Sequence, residues 1–147
     1  MSGTFGGSID SLHTLQTTTP DGRDLVFFTG TIVIKDAFPG SGEGTAVPDP
    51  DAWARGIIEV FFGPNWEQLD SVAPAAAPAS FFNIFFPASG TVPGFGWATD
   101  RCNWDINVFG QLVLKIDVAV ASTAAKAELL RIAFQATAIG VLASARP

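Results

Sequence analysis

The feature that most constrains the fold is a strict alternation of residue types in residues 112–121. One side of this segment is entirely aliphatic, whereas Lys115 and Asp117 fall on the other side. A period of two is typical of a β-strand with one packed face and one exposed face. The preceding pair, Gly110 and Gln111, suits a type II′ hairpin turn. We therefore expect residues 102–109 and 112–121 to pair as antiparallel strands. The aliphatic residues are Leu112, Leu114, Ile116, Val118 and Val120.

Strand signals recur along the rest of the chain. Residues 11–18, 25–35, 53–62 and 80–86 are rich in β-branched or aromatic residues and are separated by Gly and Pro. Residues 66–72 fit a helical turn or a short strand, and residues 73–78 form an extended Ala/Pro connector. Good helix formers precede residues 129–141, but the β-branched content of that segment favours a strand. Its even positions from Leu130 to Ala138 are then expected to pack inward. We predict an all-β, mainly antiparallel, single-domain β-sandwich or barrel of about seven strands, with room for one short helix.

The chain has the length of one domain. Its start is rich in Gly and Ser, which predicts a flexible N-terminal arm over residues 1–8. A single β domain is expected over residues 9–142, followed by a C-terminal tail over residues 143–147. Residues 36–51 have no periodicity and are rich in Gly, Pro and acidic residues, which predicts a long surface loop.

Charge and hydrophobicity limit the classes of partner. Only 8 Lys and Arg residues, scattered singly, stand against 14 Asp and Glu, so nucleic acid and anionic membrane are not expected partners. The start lacks a signal-peptide pattern, and no apolar run approaches the ~20 residues of a spanning helix. We expect a protein that is cytoplasmic or assembled into a larger particle. Charged residues make up 15% of the chain and hydrophobic residues 48%, which suggests that apolar surface is hidden against another copy or a ligand.

We find no catalytic or cofactor motif in the sequence. The only histidine, His13, lies near Asp10 and Ser11, and we interpret the three as the hydrated polar face of a strand. The only cysteine, Cys102, excludes an intrachain disulfide and is expected to be an inert apolar residue. One His and one Cys do not have the spacing of metal ligands. Glu59 is expected on the outward face of an edge strand. We therefore expect that the protein is not an enzyme and that it has neither a cofactor nor a metal site.

Five residues are candidates for ligand binding. Glycines flank Phe95 and Trp97 and could present their rings to a sugar or to another subunit. Side chains with oxygen atoms recur at every second position in Asn103, Asp105 and Asn107. We prefer to interpret them as the hydrated face of a strand, with binding of calcium or of sugar hydroxyls as the alternative. Our leading hypothesis is a non-enzymatic, self-associating structural or interaction subunit, a homo-oligomer. The alternative is a module that binds carbohydrate or a small apolar ligand, lectin-like or barrel-like.

Overall fold

A computed structural model describes residues 4–39, 54–82, 95–122 and 128–143. These ranges form six strands: β1 (Thr4–Thr18), β2 (Asp24–Pro39), β3 (Ala54–Phe82), β4 (Phe95–Ile106), β5 (Gln111–Ser122) and β6 (Glu128–Leu142). The predicted all-β, mainly antiparallel class is confirmed. The described ranges contain no helix, and hence none long and apolar enough to cross a membrane. Most of the predicted loop, residues 40–51, lies outside the described residues, while its first residues belong to β2.

The strands form two sheets that share β3. In sheet I, residues 66–82 of β3 pair with β6, which pairs with β2, which pairs with β1. In sheet II, residues 54–65 of β3 pair with β5, which pairs with β4. The first residues of β1 also run parallel to β3, with Thr4 opposite Ile57 and Gly6 opposite Glu59. A sandwich or barrel-like arrangement therefore fits, because β1 and β3 each contribute to both sheets.

The strand count is six in the described residues, where the sequence predicted about seven, because β3 is 29 residues long. We expected Gly63 and Pro64 to end a strand. Instead the chain passes from one sheet to the other there, with a register shift between Phe62 and Asn65. The Ala/Pro segment, expected as a connector, continues β3 and pairs with β6. Proline is tolerated in this segment because β6 is its only strand partner in the described residues, so it lies at an edge.

The hydrophobic core lies between the two sheets. The aliphatic face predicted for β5 is buried from Leu112 to Val118. Three aromatic rings link the sheets: Phe62 lies 5.1 Å from Phe28 and 4.9 Å from Phe134, measured between ring centroids. The strand predicted over residues 129–141 is confirmed as β6, and its even positions from 132 to 138 are buried as expected. At the start of β6 the buried residue is Leu129, not Leu130.

The hairpin between β4 and β5 has a longer turn than the sequence indicated. The pairing of the two strands is confirmed, but β4 ends at Ile106 and residues 107–110 form the turn. Gly110 donates its N–H to the carbonyl of Asn107 at 3.0 Å and has a φ of 80°, a conformation that favours glycine. The Asn107 side-chain oxygen accepts the N–H groups of Phe109 and Gln111, both at 3.0 Å. These bonds stabilise the longer turn.

The chain ends differ in part from what we expected. Thr4–Ser8, expected within a flexible arm, form the start of β1. They do so because this segment pairs with β3 and β2. At the other end, Ala143 donates its N–H to the carbonyl of Asn65 at 3.0 Å. The rest of the predicted tail lies outside the described residues.

Candidate functional site

The outer face of sheet I carries no Asp, Glu, Lys or Arg over a wide area. Its four strands each place four alternate residues on this face, and every one of these side chains is exposed or half-buried. We call this set the uncharged face. Its members are Ser11, His13, Leu15 and Thr17 of β1; Leu25, Phe27, Thr29 and Thr31 of β2; Ala133, Gln135, Thr137 and Ile139 of β6; and Ser71, Ala73, Ala75 and Ala77 of β3.

Strand register aligns these residues in rows across the sheet. In one row Leu15 lies opposite Phe27, Phe27 opposite Thr137, and Thr137 opposite Ala73. The next row along the strands runs from His13 through β2 and β6 to β3 in the same way. On β2 and β6 the core takes the intervening side chains, such as Phe28 and Ile132. The face that remains carries small, hydroxylated, amide and apolar groups and the imidazole of His13.

The uncharged face has a ridge and a trough. The ridge is formed by Leu15, which is 66% exposed, by Phe27, which is 39% exposed, and by their neighbours Leu25 and Ile139. The trough lies mainly on β6 and β3, where most residues are small, and is an open depression with a volume of about 330 Å³. Ridge and trough occupy diagonally opposite corners of the face. The trough is lined by Thr29, Ala75, Ala76, Ala77, Ala133, Phe134 and Gln135.

Among the side chains that the structure describes, ion pairs lie beyond the two ends of this face. At one end Arg131 Nε lies 3.0 Å from a carboxylate oxygen of Asp10. At the other end Arg23 forms ion pairs with Asp21 and Asp70. Pairing at the ends leaves the centre of the face without a local field from an unpaired charge.

The outer face of sheet II has the opposite character. Arg55 pairs with Asp100, and Arg101 Nε lies 3.5 Å from Asp117. Lys115 lies between two carboxylates, 3.9 Å from Glu59 and 3.4 Å from Asp105. We call these seven residues the charge ladder. Its members are Arg55, Glu59, Asp100, Arg101, Asp105, Lys115 and Asp117.

Glu59 faces outward, as expected, but not on an edge strand. It is opposite Lys115 of β5 on one side and Gly6 of β1 on the other. Its carboxylate is exposed and paired with Lys115. Glu59 is therefore a surface partner within the charge ladder.

The polar group around His13 takes part in local surface contacts. A register shift in β1 at Asp10 lets that carboxylate accept hydrogen bonds from Arg131 and from the Thr31 hydroxyl, the latter at 3.2 Å. The Ser11 and Thr31 hydroxyls lie 3.0 Å apart. The Asp10 carboxylate thus pairs with Arg131 and does not orient His13. This arrangement fits a hydrated strand face.

The five residues predicted to bind a ligand are spread along β4 and its turn. Phe95 pairs with Ser122 and Trp97 with Val120, at the start of the strand. Asn107 lies in the turn beyond the other end, and the ten residues that separate it from Trp97 span roughly 33 Å of extended chain. The backbone therefore does not bring the two groups together around one small ligand.

Two of the three polar members of that set, Asp105 and Asn107, already have partners. The Asp105 carboxylate accepts the N–H of Ile106 at 2.8 Å and pairs with Lys115, and these contacts lower its pKa from the ordinary 3.8. Asn107 holds the hairpin turn through its side-chain oxygen. Asn103 is exposed and lies opposite Lys115.

Cys102 is half-buried on β4, in contact with the core. Burial, together with the nearby Asp117 carboxylate, raises the pKa of its thiol to about 11. Since the thiolate is the reactive form, such a thiol is a poor nucleophile near neutral pH. In the part of the chain that the structure describes, no three His, Cys, Asp or Glu side chains are grouped as metal ligands would be.

The uncharged face was not among the sites that the sequence analysis singled out. Its signal is present in the sequence, because charge is missing at alternate positions in four separate segments. Only the register, which aligns those positions side by side, turns four weak signals into one surface. Comparison with known proteins finds no matching family model, no similar curated protein and no similar solved structure.

Proposed function

We propose that this protein is a non-enzymatic, self-associating structural subunit, and that a second copy packs on the uncharged face. The observation that carries the proposal is the absence of Asp, Glu, Lys and Arg from the uncharged face, which spans four adjacent strands of a chain whose net charge is −6. Burying a charge in an interface costs free energy unless it is paired and hydrogen-bonded. A face without charges avoids that cost, and two copies of it do not repel each other.

The shape of the uncharged face, with its ridge and trough, supports contact with an identical face. A two-fold axis in the plane of the interface relates each feature of one copy to its counterpart on the other. The axis would lie along the other diagonal of the face, the one that separates ridge from trough. It would set the Leu15 and Phe27 ridge of each copy into the alanine-lined trough of the other. Strands of the two copies would then cross at nearly a right angle, one of the two common geometries of packed sheets.

The size of the face is at the lower end of what a stable interface needs. Four strands about 4.8 Å apart and four rows about 6.8 Å apart cover roughly 500 Å² of flat area. Stable interfaces bury about 800 Å² of accessible surface per partner. Side-chain roughness and the bordering residues bring the face closer to that value, so we expect reversible association of moderate affinity.

The experiment compares two exposed phenylalanines on opposite outer faces. Phe27 lies on the uncharged face, and Phe61, 61% exposed, lies on the outer face of sheet II. Phe27→Lys should raise the dissociation constant for self-association at least about tenfold, because it buries an unpaired charge. Phe61→Lys makes the same change of charge elsewhere and should leave association unchanged. Sedimentation velocity over a range of concentrations measures both.

Two results would overturn the proposal. One is a wild-type protein that stays monomeric at every concentration. The other is an equal loss of association in the two lysine variants, because net charge rather than this face would then control assembly. Circular dichroism confirms that each variant remains folded.

The trough supports a second candidate, a module that binds carbohydrate or a small apolar ligand. Its volume of about 330 Å³ lies in the range of small-ligand pockets, and Thr29 and Gln135 supply hydrogen-bonding groups. A glycan array tests this candidate, with Ala133→Phe to fill the trough and Trp97→Ala to test the aromatic residues of β4. Binding that only Trp97→Ala removes would place the ligand on β4, and the absence of binding would discard the sugar hypothesis.

A further inference from the structure

Three stretches of strand have a partner on only one side in the described residues. They are residues 7–18 of β1, residues 66–82 of β3, and β4. An edge strand presents unpaired N–H and C=O groups, to which another strand can add. Proteins prevent this with prolines, bulges and charged side chains at their edges. The three edges of this protein differ sharply in such protection.

The β3 edge is protected by its backbone. Pro74 lies opposite Ala136, and Pro78 opposite Ile132. A proline has no N–H, so the ladder to β6 continues through these positions only if their nitrogens face the open edge. That edge therefore lacks donors at two points. Four register shifts along its pairing with β6 add further irregularity.

The β4 edge is protected by charge and by irregular pairing. A register shift between Thr99 and Arg101 interrupts its ladder to β5. Charged side chains lie at Asp100, Arg101 and Asp105 along the 12 residues of the strand, and all three are exposed. A strand that added here would have to desolvate these groups.

The β1 edge has none of these protections over residues 11–18. This stretch contains no Pro, Asp, Glu, Lys or Arg, and its register with β2 is regular from Ser11 to Thr18. Seven of its eight residues are exposed, Leu12 being half-buried. It is also a border of the uncharged face, to which it contributes Leu15 and three other residues.

We infer that residues 11–18 of β1 pair with the same residues of a second copy, as antiparallel strands about a two-fold axis perpendicular to the sheet. The pairing would join two four-stranded sheets into one of eight strands. A neutral strand suits pairing with itself, since no like charges meet in any register. The contact lies beside the uncharged face without using the same atoms, so it extends the proposed self-association and is tested separately from it.

Edge pairing also adds the interface area that the uncharged face lacks. That face alone is small for a stable interface, as shown above. Two such faces placed side by side by β1 pairing would double the continuous uncharged area. The two contacts have different symmetry axes, and their combination builds a closed tetramer or a longer assembly.

Backbone hydrogen exchange of the wild-type protein tests the pairing directly. In an edge strand every second N–H points to the open side and exchanges fast. We expect these alternate amides in residues 11–18 to slow at least about tenfold as concentration rises through the association range. Amides that stay fast while sedimentation shows assembly would overturn the inference. Amides already protected in the monomer would also overturn it, because the edge would then be covered within one chain.

A lysine on the edge provides the matching variant. Thr14 lies opposite Phe28, so its side chain points away from the uncharged face, and Thr14→Lys places a charge on the edge alone. Asn103→Lys makes the same change of charge on the protected β4 edge and serves as control. We expect Thr14→Lys to weaken association at least about tenfold and Asn103→Lys to leave it unchanged.

The variants separate the two contacts. Loss of association in Phe27→Lys but not in Thr14→Lys would overturn the edge pairing and leave the face contact standing. The reverse result would overturn the face contact and keep the edge pairing. The exchange measurement on the wild-type protein decides the edge pairing even if Thr14→Lys does not fold.

Discussion

The outer faces of the two sheets present different chemical groups to solvent. On sheet II, four ion pairs join the strands of the charge ladder and keep that face hydrated. On sheet I, hydroxyl, amide and small aliphatic groups occupy the equivalent positions, with ion pairs only beyond the ends. Exposed ion pairs add little stability but make a face costly to desolvate. The charge ladder therefore resists burial, and the uncharged face does not.

The contrast assigns different roles to the two sheets. Both sheets contribute to the core, where Phe62 of sheet II contacts Phe28 and Phe134 of sheet I. Packing inside the domain thus does not explain why only one outer face lacks charge. A second copy packed on the uncharged face, as we propose, would account for the difference.

The largest expected effect is a loss of folding stability when a side chain is added within sheet I. A Cβ atom added at Gly30 would lie 2.0 Å from the carbonyl oxygen of Ser11, next to the register shift in β1. Because backbone must move, Gly30→Ala should lower the free energy of unfolding by about 3 kcal/mol. Thr29→Ala, on the exposed side of the same strand, should change it by less than about 0.5 kcal/mol. Urea denaturation compares the two, and equal stabilities would show that β1 does not pack this closely.

The next effect is on association as pH falls. The sequence pI is about 4.4, so the net negative charge that separates copies decreases between about pH 5 and 4. Self-association or precipitation should increase over this range, and added salt at pH 7 should act in the same direction by screening the repulsion. Turbidity and sedimentation measure the self-association and the precipitation. A flat response with the fold intact would show that net charge does not limit association.

The Asp105–Lys115 pair of the charge ladder should persist over most of that pH range. The pKa of Asp105 is lowered by the N–H of Ile106 and by Lys115. A lowered pKa in the folded state gives stability that is present above the unfolded value and is lost only as pH falls through the lower, folded value. The change between pH 5 and 4 should thus come from other carboxylates. Nuclear magnetic resonance titration of Asp105 checks this, and a midpoint above 3.8 would contradict it.

The smallest effect is expected from removing the centre of the charge ladder. Lys115→Met deletes both of its ion pairs, to Glu59 and Asp105, but all three groups are partly or fully exposed. We expect Tm to fall by no more than about 3 °C, since exposed pairs contribute little. Association through the uncharged face should not change. A larger fall in Tm, or a change in association, would show that the two faces are not independent.

Period-two patterning was sufficient to predict the strand class and much of the core. The alternation in β5 and the even positions of β6 identified buried residues such as Leu114 and Ile132, because side chains in any strand alternate between faces. The same reasoning placed the polar residues near His13 on a hydrated surface. It also identified Cys102 as unreactive, since partial burial raises the pKa of the thiol.

The sequence by itself thus determined most of the segments that form strands and, in β5 and β6, which side of the strand is apolar. Tertiary structure alone decided that β3 continues through Gly63 and Pro64 into a second sheet, because a bend and a strand end have the same local signature. It also decided which strands are neighbours. Segments distant in the chain, such as those of Leu15 and Thr137, meet only through register. The uncharged face and the unprotected β1 edge are properties of that register, because the local patterns that contribute to them do not specify which strands are neighbours.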